Sequence, residues 1–133
     1  MIVFGDALYF LVLVNPRDQH HSAAKDFARG YRGKIVTTRW ILAEVRDGLS
    51  AVANRAIASA LVRQMSRDAR FIIVKESDVL FERGMELFEQ RPDKEWSLTD
   101  CISFLVMADE GLTDALTADH HFEQAGFTPL LTE

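Results

Sequence analysis

Four acidic residues stand where a folded chain often does chemistry. Asp6 closes the apolar run Ile2-Val3-Phe4-Gly5, and Asp119 follows Ala115-Leu116-Thr117-Ala118. Glu44 lies within Ile41-Leu42-Ala43-Glu44-Val45, and Asp100 within Ser97-Leu98-Thr99-Asp100. Four carboxylates in one pocket repel each other: two unit charges 4 Å apart cost roughly 1 kcal/mol in water and about 4 at an effective dielectric of 20. Such a cluster raises carboxyl pKa values unless cations fill it. Hard divalent cations, Mg²⁺ or Mn²⁺, favour all-oxygen donor sets of this kind. A cation held with open positions accepts phosphate oxygens and activates water, which suits phosphodiester hydrolysis.

Taken singly, each acid also has a structural reading. Asp6 can cap the helix that follows it, and Asp119 can cap one starting at His120. Asp100 can be only the capping-box partner of Ser97, and Glu44 can sit on a solvated face near Arg46 and Asp47. With 20 acids in the chain, chance alignments are easy. Only the four together, in these contexts, point to a metal site.

The elements that must position them follow from hydrophobic patterning. Strands are expected at 1–5, 34–37, 71–74 and 115–117, with a last short one at 128–131. Helices are expected at 7–14, 18–29, 39–49, 54–67, 77–90, 97–110 and 120–125. Asn15-Pro16 stops the first helix, Asp18 is a candidate cap for the second, and Thr38 caps the third. Strands alternate with helices, and the strands are mostly continuous apolar runs. The expected fold is therefore α/β: a single domain over 1–133, with a central, mostly parallel sheet of four to five short strands flanked by helices. In such folds ligands bind beyond the carboxyl ends of the strands, which is where Asp6 and Asp119 fall.

Composition bounds the function classes. The chain has 133 residues, 48% of them hydrophobic, enough for a real core. Its single cysteine, Cys101, cannot form an internal disulfide, which suits a reducing compartment. The most apolar run, residues 7–14, is about half the roughly 20 residues a membrane span needs, and it lacks the cationic leader of a secretory signal. The chain is expected to be cytoplasmic and complete. A net charge of −5 argues against a general nucleic-acid binder, but bound cations at an acidic site would supply local positive charge.

The four contexts resemble the PIN-domain nucleases, in particular the small VapC-like toxins of bacterial toxin–antitoxin pairs. The resemblance runs from Ile2-Val3-Phe4-Gly5-Asp6 through the stretch 15–24 and Ile41-Leu42-Ala43-Glu44-Val45. It is strongest at 97–104 and 115–122. It implies that Asp6, Glu44, Asp100 and Asp119 are metal-site and catalytic acids, with Thr117 as a hydroxyl near the site. It further implies an endoribonuclease using Mg²⁺ or Mn²⁺, which cuts single-stranded or looped RNA to leave a 5′-phosphate and a 3′-hydroxyl. The expected partners are an RNA substrate, a protein antitoxin and a second copy in a homodimer. The family often carries a Thr or Ser after the first Asp and a small polar residue next; here Ala7 and Leu8 stand there, so a supporting hydroxyl is missing from that place.

Other residues carry weaker signals. Arg39, Arg46, Lys94 and Trp96 are placed near the expected mouth, where cations could hold phosphate and Trp96 could stack on a base; the alternative is packing and solvated charge. The pairs His20-His21 and His120-His121 are poor two-ligand sets, because neighbours on a helix point about 100° apart. Either histidine of the second pair could still touch substrate. The stripe Phe81, Met85, Phe88 reads as core packing, or else as a dimer or partner groove. A PIN-like module without catalysis remains the main competing reading, hinted at only by Ala7-Leu8. A haloacid-type phosphatase needs a second Asp where Leu8 stands, and a receiver domain needs a late Lys that is absent. No G-x-G-x-x-G or Walker-type loop is present.

Overall fold

The computed structural model describes residues 1–132. Five strands are present among the described residues: β1 (Ile2–Gly5), β2 (Lys34–Thr38), β3 (Phe71–Val74), β4 (Asp114–Leu116) and β5 (Thr128–Pro129). Seven α-helices flank them among the described residues: α1 (Ala7–Leu13), α2 (His21–Gly30), α3 (Arg39–Gly48), α4 (Arg55–Arg67), α5 (Asp78–Gln90), α6 (Leu98–Asp109) and α7 (His120–Gln124). None of the described helices is long and apolar enough to cross a membrane.

The sheet is parallel throughout, in the order β3-β2-β1-β4-β5. The chain builds outward from β1 on one side through β2 and β3, then returns to lay β4 on the other. β1 is thus the point where the strand order reverses, and a crevice opens beyond its carboxyl end. Phe4 pairs with Val36 on one side and with Ala115 on the other, and Gly5 pairs with Leu116. This register places the residues after β1 and β4 side by side.

Two devices hold that end of the sheet. Thr37 Oγ1 donates to the Gly5 carbonyl at 2.8 Å, joining the ends of β2 and β1. A Cβ on Gly5 would lie 2.9 Å from Ile35 Cγ2 and 3.0 Å from the Phe10 ring, so glycine lets both press against the strand. Helix α6 is apolar nearly all round, with Cys101, Ile102, Phe104, Val106 and Met107 buried, as befits a central helix. Fully buried Phe4, Phe10 and Phe122 each contribute about 1.5–3 kcal/mol by removal from water.

The differences from expectation are local. Helix α2 starts at His21 rather than 18, because the Asp18 carboxylate accepts the His20 N–H at 2.8 Å and closes the preceding turn instead of capping the helix. Strand β5 is only two residues long, ending at Pro129, which has no N–H for the ladder. A 3₁₀ turn at Val52–Asn54 leads into α4. The stripe expected to be core is not: Phe81, Met85 and Phe88 are 41%, 41% and 52% exposed. The adjacent face of α5, with Leu80 and Gly84, is the one that packs.

Helices α5 and α6 approach closely at Gly84, where an added Cβ would lie 2.5 Å from Ile102 Cγ1. Ile102 is fully buried and has no room to swing away. Alanine gains about 1 kcal/mol over glycine in a helix, but overpacking a close contact costs about 1–3. Gly84→Ala is therefore expected to lower stability by roughly 1–2 kcal/mol, read as a reduced denaturation midpoint. An unchanged or raised midpoint would show that the helices part without cost.

Candidate metal centre

Asp6 occupies the N-cap position of α1, yet its side chain makes no capping bond. It points into the end of the sheet, 6% exposed, where Oδ2 accepts the Thr117 hydroxyl at 2.8 Å. The same Thr117 oxygen accepts the Asp119 backbone N–H at 3.0 Å. One buried hydroxyl thereby links the acids that follow β1 and β4. It also answers the question raised by Ala7 and Leu8: the hydroxyl that supports Asp6 comes from Thr117, across the sheet.

Glu44 is delivered by α3. Thr38 starts that helix by accepting the Ile41 N–H at 3.1 Å, while Ile41 and Val45 turn into the core. These anchors leave Glu44 half-buried at the edge of the cleft, with the Thr99 side chain beside it. Asp100 sits in the first turn of α6, held by a reciprocal capping box. Its N–H donates to Ser97 Oγ at 3.0 Å, and its Oδ2 accepts the Ser97 N–H at 3.1 Å. Asp119 caps α7, accepting the His121 N–H at 2.9 Å. The capping roles of Asp100 and Asp119 are therefore real, and they coexist with a place in the cleft.

The four acids from four elements line a single open cleft of about 340 Å³, together with Ala7, Leu8, Leu11, Val12 and Asp18. No Lys or Arg is among the lining residues. The electrostatic consequence is largest at Asp6. Burial, with Asp100 and Glu44 as further negative neighbours, pushes its carboxyl up to about 7 despite the Thr117 bond. Burial also raises the Glu44 carboxyl, helped by Asp100, Asp47 and Asp119, while the Thr99 hydroxyl pulls the other way. An all-oxygen set short of positive charge, with Asp6 buried at its base, fits a hard divalent cation.

Other sequence-derived candidates lie elsewhere. Arg39 and Arg46 share a groove with Leu42, Ala43, Val62, Ser66 and Ile73, on a different face of α3 from Glu44, and Arg39 pairs with Glu76 at 3.0 Å. Trp96 is buried against Phe104 and donates Nε1–H to Gln124 at 3.0 Å, so it is unavailable for stacking on a base. Lys94 stands 4.0 Å from Asp93. His21 Nδ1 is 2.7 Å from the Val12 carbonyl and ties α2 to α1. At the other pair, the ligand atoms of Asp119, His120 and His121 all lie within 4.8 Å of one another. The spacing argument against that pair is thus too strict, because long side chains at the start of a five-residue helix bend toward each other. Sequence reasoning missed Thr99 and Asp18 as residues of the site region. Thr99 was legible as the hydroxyl beside Asp100; Asp18 carried only a capping signal.

A model of the PIN domain matches residues 4–128. The chain is 27% identical over 133 residues to the 23S rRNA-specific endonuclease VapC20 of Mycobacterium tuberculosis, covering 99% of this chain and 100% of that protein. The crystal structure of Mycobacterium tuberculosis VapC20, a toxin cleaving the sarcin-ricin loop, superposes with a TM-score of 0.87 at 25% identity, over 96% of this chain and 97% of that one. FitAcB from Neisseria gonorrhoeae shares the fold, with a TM-score of 0.64 at 16% identity over 97% and 96% of the two chains.

Asp6 sets the expected pH response of the metal-free protein. Its carboxyl is raised from 3.8 to about 7, so the folded chain keeps a proton that the unfolded chain has lost. This contribution to stability is present below about pH 4, falls as pH rises toward 7 and is absent above, a change on the order of 4 kcal/mol. In EDTA, the melting temperature is expected to be several degrees higher at pH 5 than at pH 8, and Asp6→Asn should remove most of the difference. A parent protein equally stable at both values would show that Asp6 is not desolvated as described.

Proposed function

The chain belongs to the PIN domain family, and from that membership and the site we propose that it is a metal-dependent endoribonuclease, the toxin of a type II toxin–antitoxin pair. The single observation that carries this reading is the convergence of Asp6, Glu44, Asp100 and Asp119 on one cleft with no cationic side chain in its lining. The likeness to VapC20 over nearly the whole of both chains supports RNA as the substrate class.

Asp6, Glu44, Asp100 and Asp119 are the residues proposed to hold Mg²⁺ or Mn²⁺ and so to form the catalytic centre. When bound, the ion polarises a phosphate and lowers the pKa of water. The protein's own part is positional. Thr117 fixes Asp6, the Ser97 cap fixes Asp100, and Thr99 stands beside Glu44. Leu8, Leu11 and Val12 give the cleft an apolar wall beside the acids. Without the cation the cleft repels phosphate, so productive RNA binding requires metal. Ala7 and Leu8 offer no hydroxyl, but Asp6 keeps a side-chain partner in Thr117, which favours an active site over an inactive module.

The proposed partners are a protein antitoxin and a second copy of the chain, in the cytoplasm. For the homodimer, α5 offers the exposed ridge Phe81, Met85, Phe88, bordered by Asp78, Glu82 and Glu89. The groove on α3 and α4 offers Leu42 and Val62 with Arg39 and Arg46. The acid-bordered ridge and the base-bordered groove are complementary in charge, as a contact between two copies would use.

Purified protein is expected to cut a structured RNA in Mg²⁺ or Mn²⁺ and to stop in EDTA. Asp100→Asn should lower the rate at least about a hundredfold, roughly 3 kcal/mol of transition-state stabilisation, with little change in melting temperature. Parent-level cutting by that variant would remove Asp100 from the site. For the dimer, Phe81→Asp with Phe88→Asp should shift sedimentation to the monomer without loss of fold; a dimer that survives both changes pairs through another face.

A further inference from the structure

His121 lies against the metal centre without being counted among its acids. It belongs to α7, whose orientation is set by Phe122, fully buried and packed on Phe4 and Phe104. The cap from Asp119 fixes the start of that helix. The His121 ring is only 18% exposed. Its Nδ1 lies 3.1 Å from Asp100 Oδ2 and 3.5 Å from Asp119 Oδ1. The neighbouring His120 ring, with a centroid separation of 4.5 Å, covers part of the same side chain.

The two oxygens of Asp100 are treated differently. Oδ2 faces two nitrogens, the Ser97 N–H at 3.1 Å from the α6 cap and His121 Nδ1 at 3.1 Å from α7. Oδ1 makes no hydrogen bond among the described residues. A single donor would leave the carboxylate free to rock about its last bond, whereas two donors on elements 21 positions apart define its plane. A carboxylate is acceptor-only, so the hydrogen between Asp100 and His121 belongs to Nδ1.

Resting on the metal-centre reading above, we propose that His121 is a positioning residue: it donates Nδ1–H to Asp100 Oδ2, locks the carboxylate plane and so reserves Oδ1 for the divalent cation. Groups that orient a ligand in this way typically change metal affinity by about 10–100-fold when lost. The imidazole here acts on a carboxylate, not on the ion.

The test is Mn²⁺ binding to the full chain by titration calorimetry, for the parent, His121→Ala, His121→Asn and His121→Gln. Melting temperatures in EDTA confirm the fold, and electron spin-echo spectra follow the bound Mn²⁺. Asparagine places an N–H close to the position of Nδ1; glutamine carries it further out, toward that of Nε2. Alanine and glutamine are expected to weaken Mn²⁺ binding about tenfold or more, asparagine to stay within about threefold of the parent, and the spectra to show no directly coordinated imidazole nitrogen. Three results overturn the assignment: unchanged affinity in the alanine variant, an asparagine variant as weak as alanine, or an imidazole nitrogen on the Mn²⁺. A parent that binds no Mn²⁺ overturns the metal centre and the His121 role together. A parent that binds it as well as His121→Ala does overturns the His121 role alone.

Discussion

A carboxylate buried at the end of the central strand, with further carboxylates beside it, is the constraint around which this molecule is arranged. Asp6 is 6% exposed, and its nearest charged company is negative. Burying an ion without a counter-charge costs several kcal/mol, and the group responds by keeping its proton toward neutral pH. The fold accepts that cost because the strand end is fixed from several sides. Thr37 holds the Gly5 carbonyl, Thr117 holds the Asp6 carboxylate, and the register of β1 with β4 leaves no other place for Asp6. An acid held so firmly in so poor an environment suits the cation proposed for this cleft.

The supporting hydroxyls give the site its rigidity. Thr117 joins Asp6 to the backbone of Asp119, and Ser97 closes on Asp100, while Thr99 lies beside Glu44. Asp6, Asp100 and Asp119 are thereby tied to an element other than their own, or to the cap of their own helix. Helix caps and cleft-lining positions coincide at Asp100 and Asp119, so the bonds that start α6 and α7 also aim the carboxylates. Economy of this kind is natural in a chain of 133 residues, where each helix start near the crevice serves both stability and chemistry.

The surface divides into regions of different character. The acid-lined cleft is the seat of the proposed chemistry, and the ridge on α5 and the groove with Arg39 and Arg46 lie on other faces. Arg39 and Arg46, expected at the cleft, thus belong to a different surface, and in the proposed reading a bound metal would supply the positive charge that the cleft lining lacks. The exposed apolar ridge on α5 carries the proposed contact between copies.

The α/β class, the parallel sheet and the four acids were legible in the sequence, because continuous apolar strands and amphipathic helices have fixed periods, and residues following strands have a fixed destination. The resemblance at 97–104 and 115–122 was legible for the same reason: the capping box and the strand end are local patterns. What lay beyond the sequence was contact between distant positions. Thr117 meets Asp6 across 111 residues and His121 meets Asp100 across 21, and only the register of β4 on β1 and the seating of Phe122 bring them together. The sides taken by Trp96, Arg39 and the stripe on α5 were decided in the same way. A helical period tells which residues share a face, but the neighbouring elements decide whether that face meets core, cleft or water.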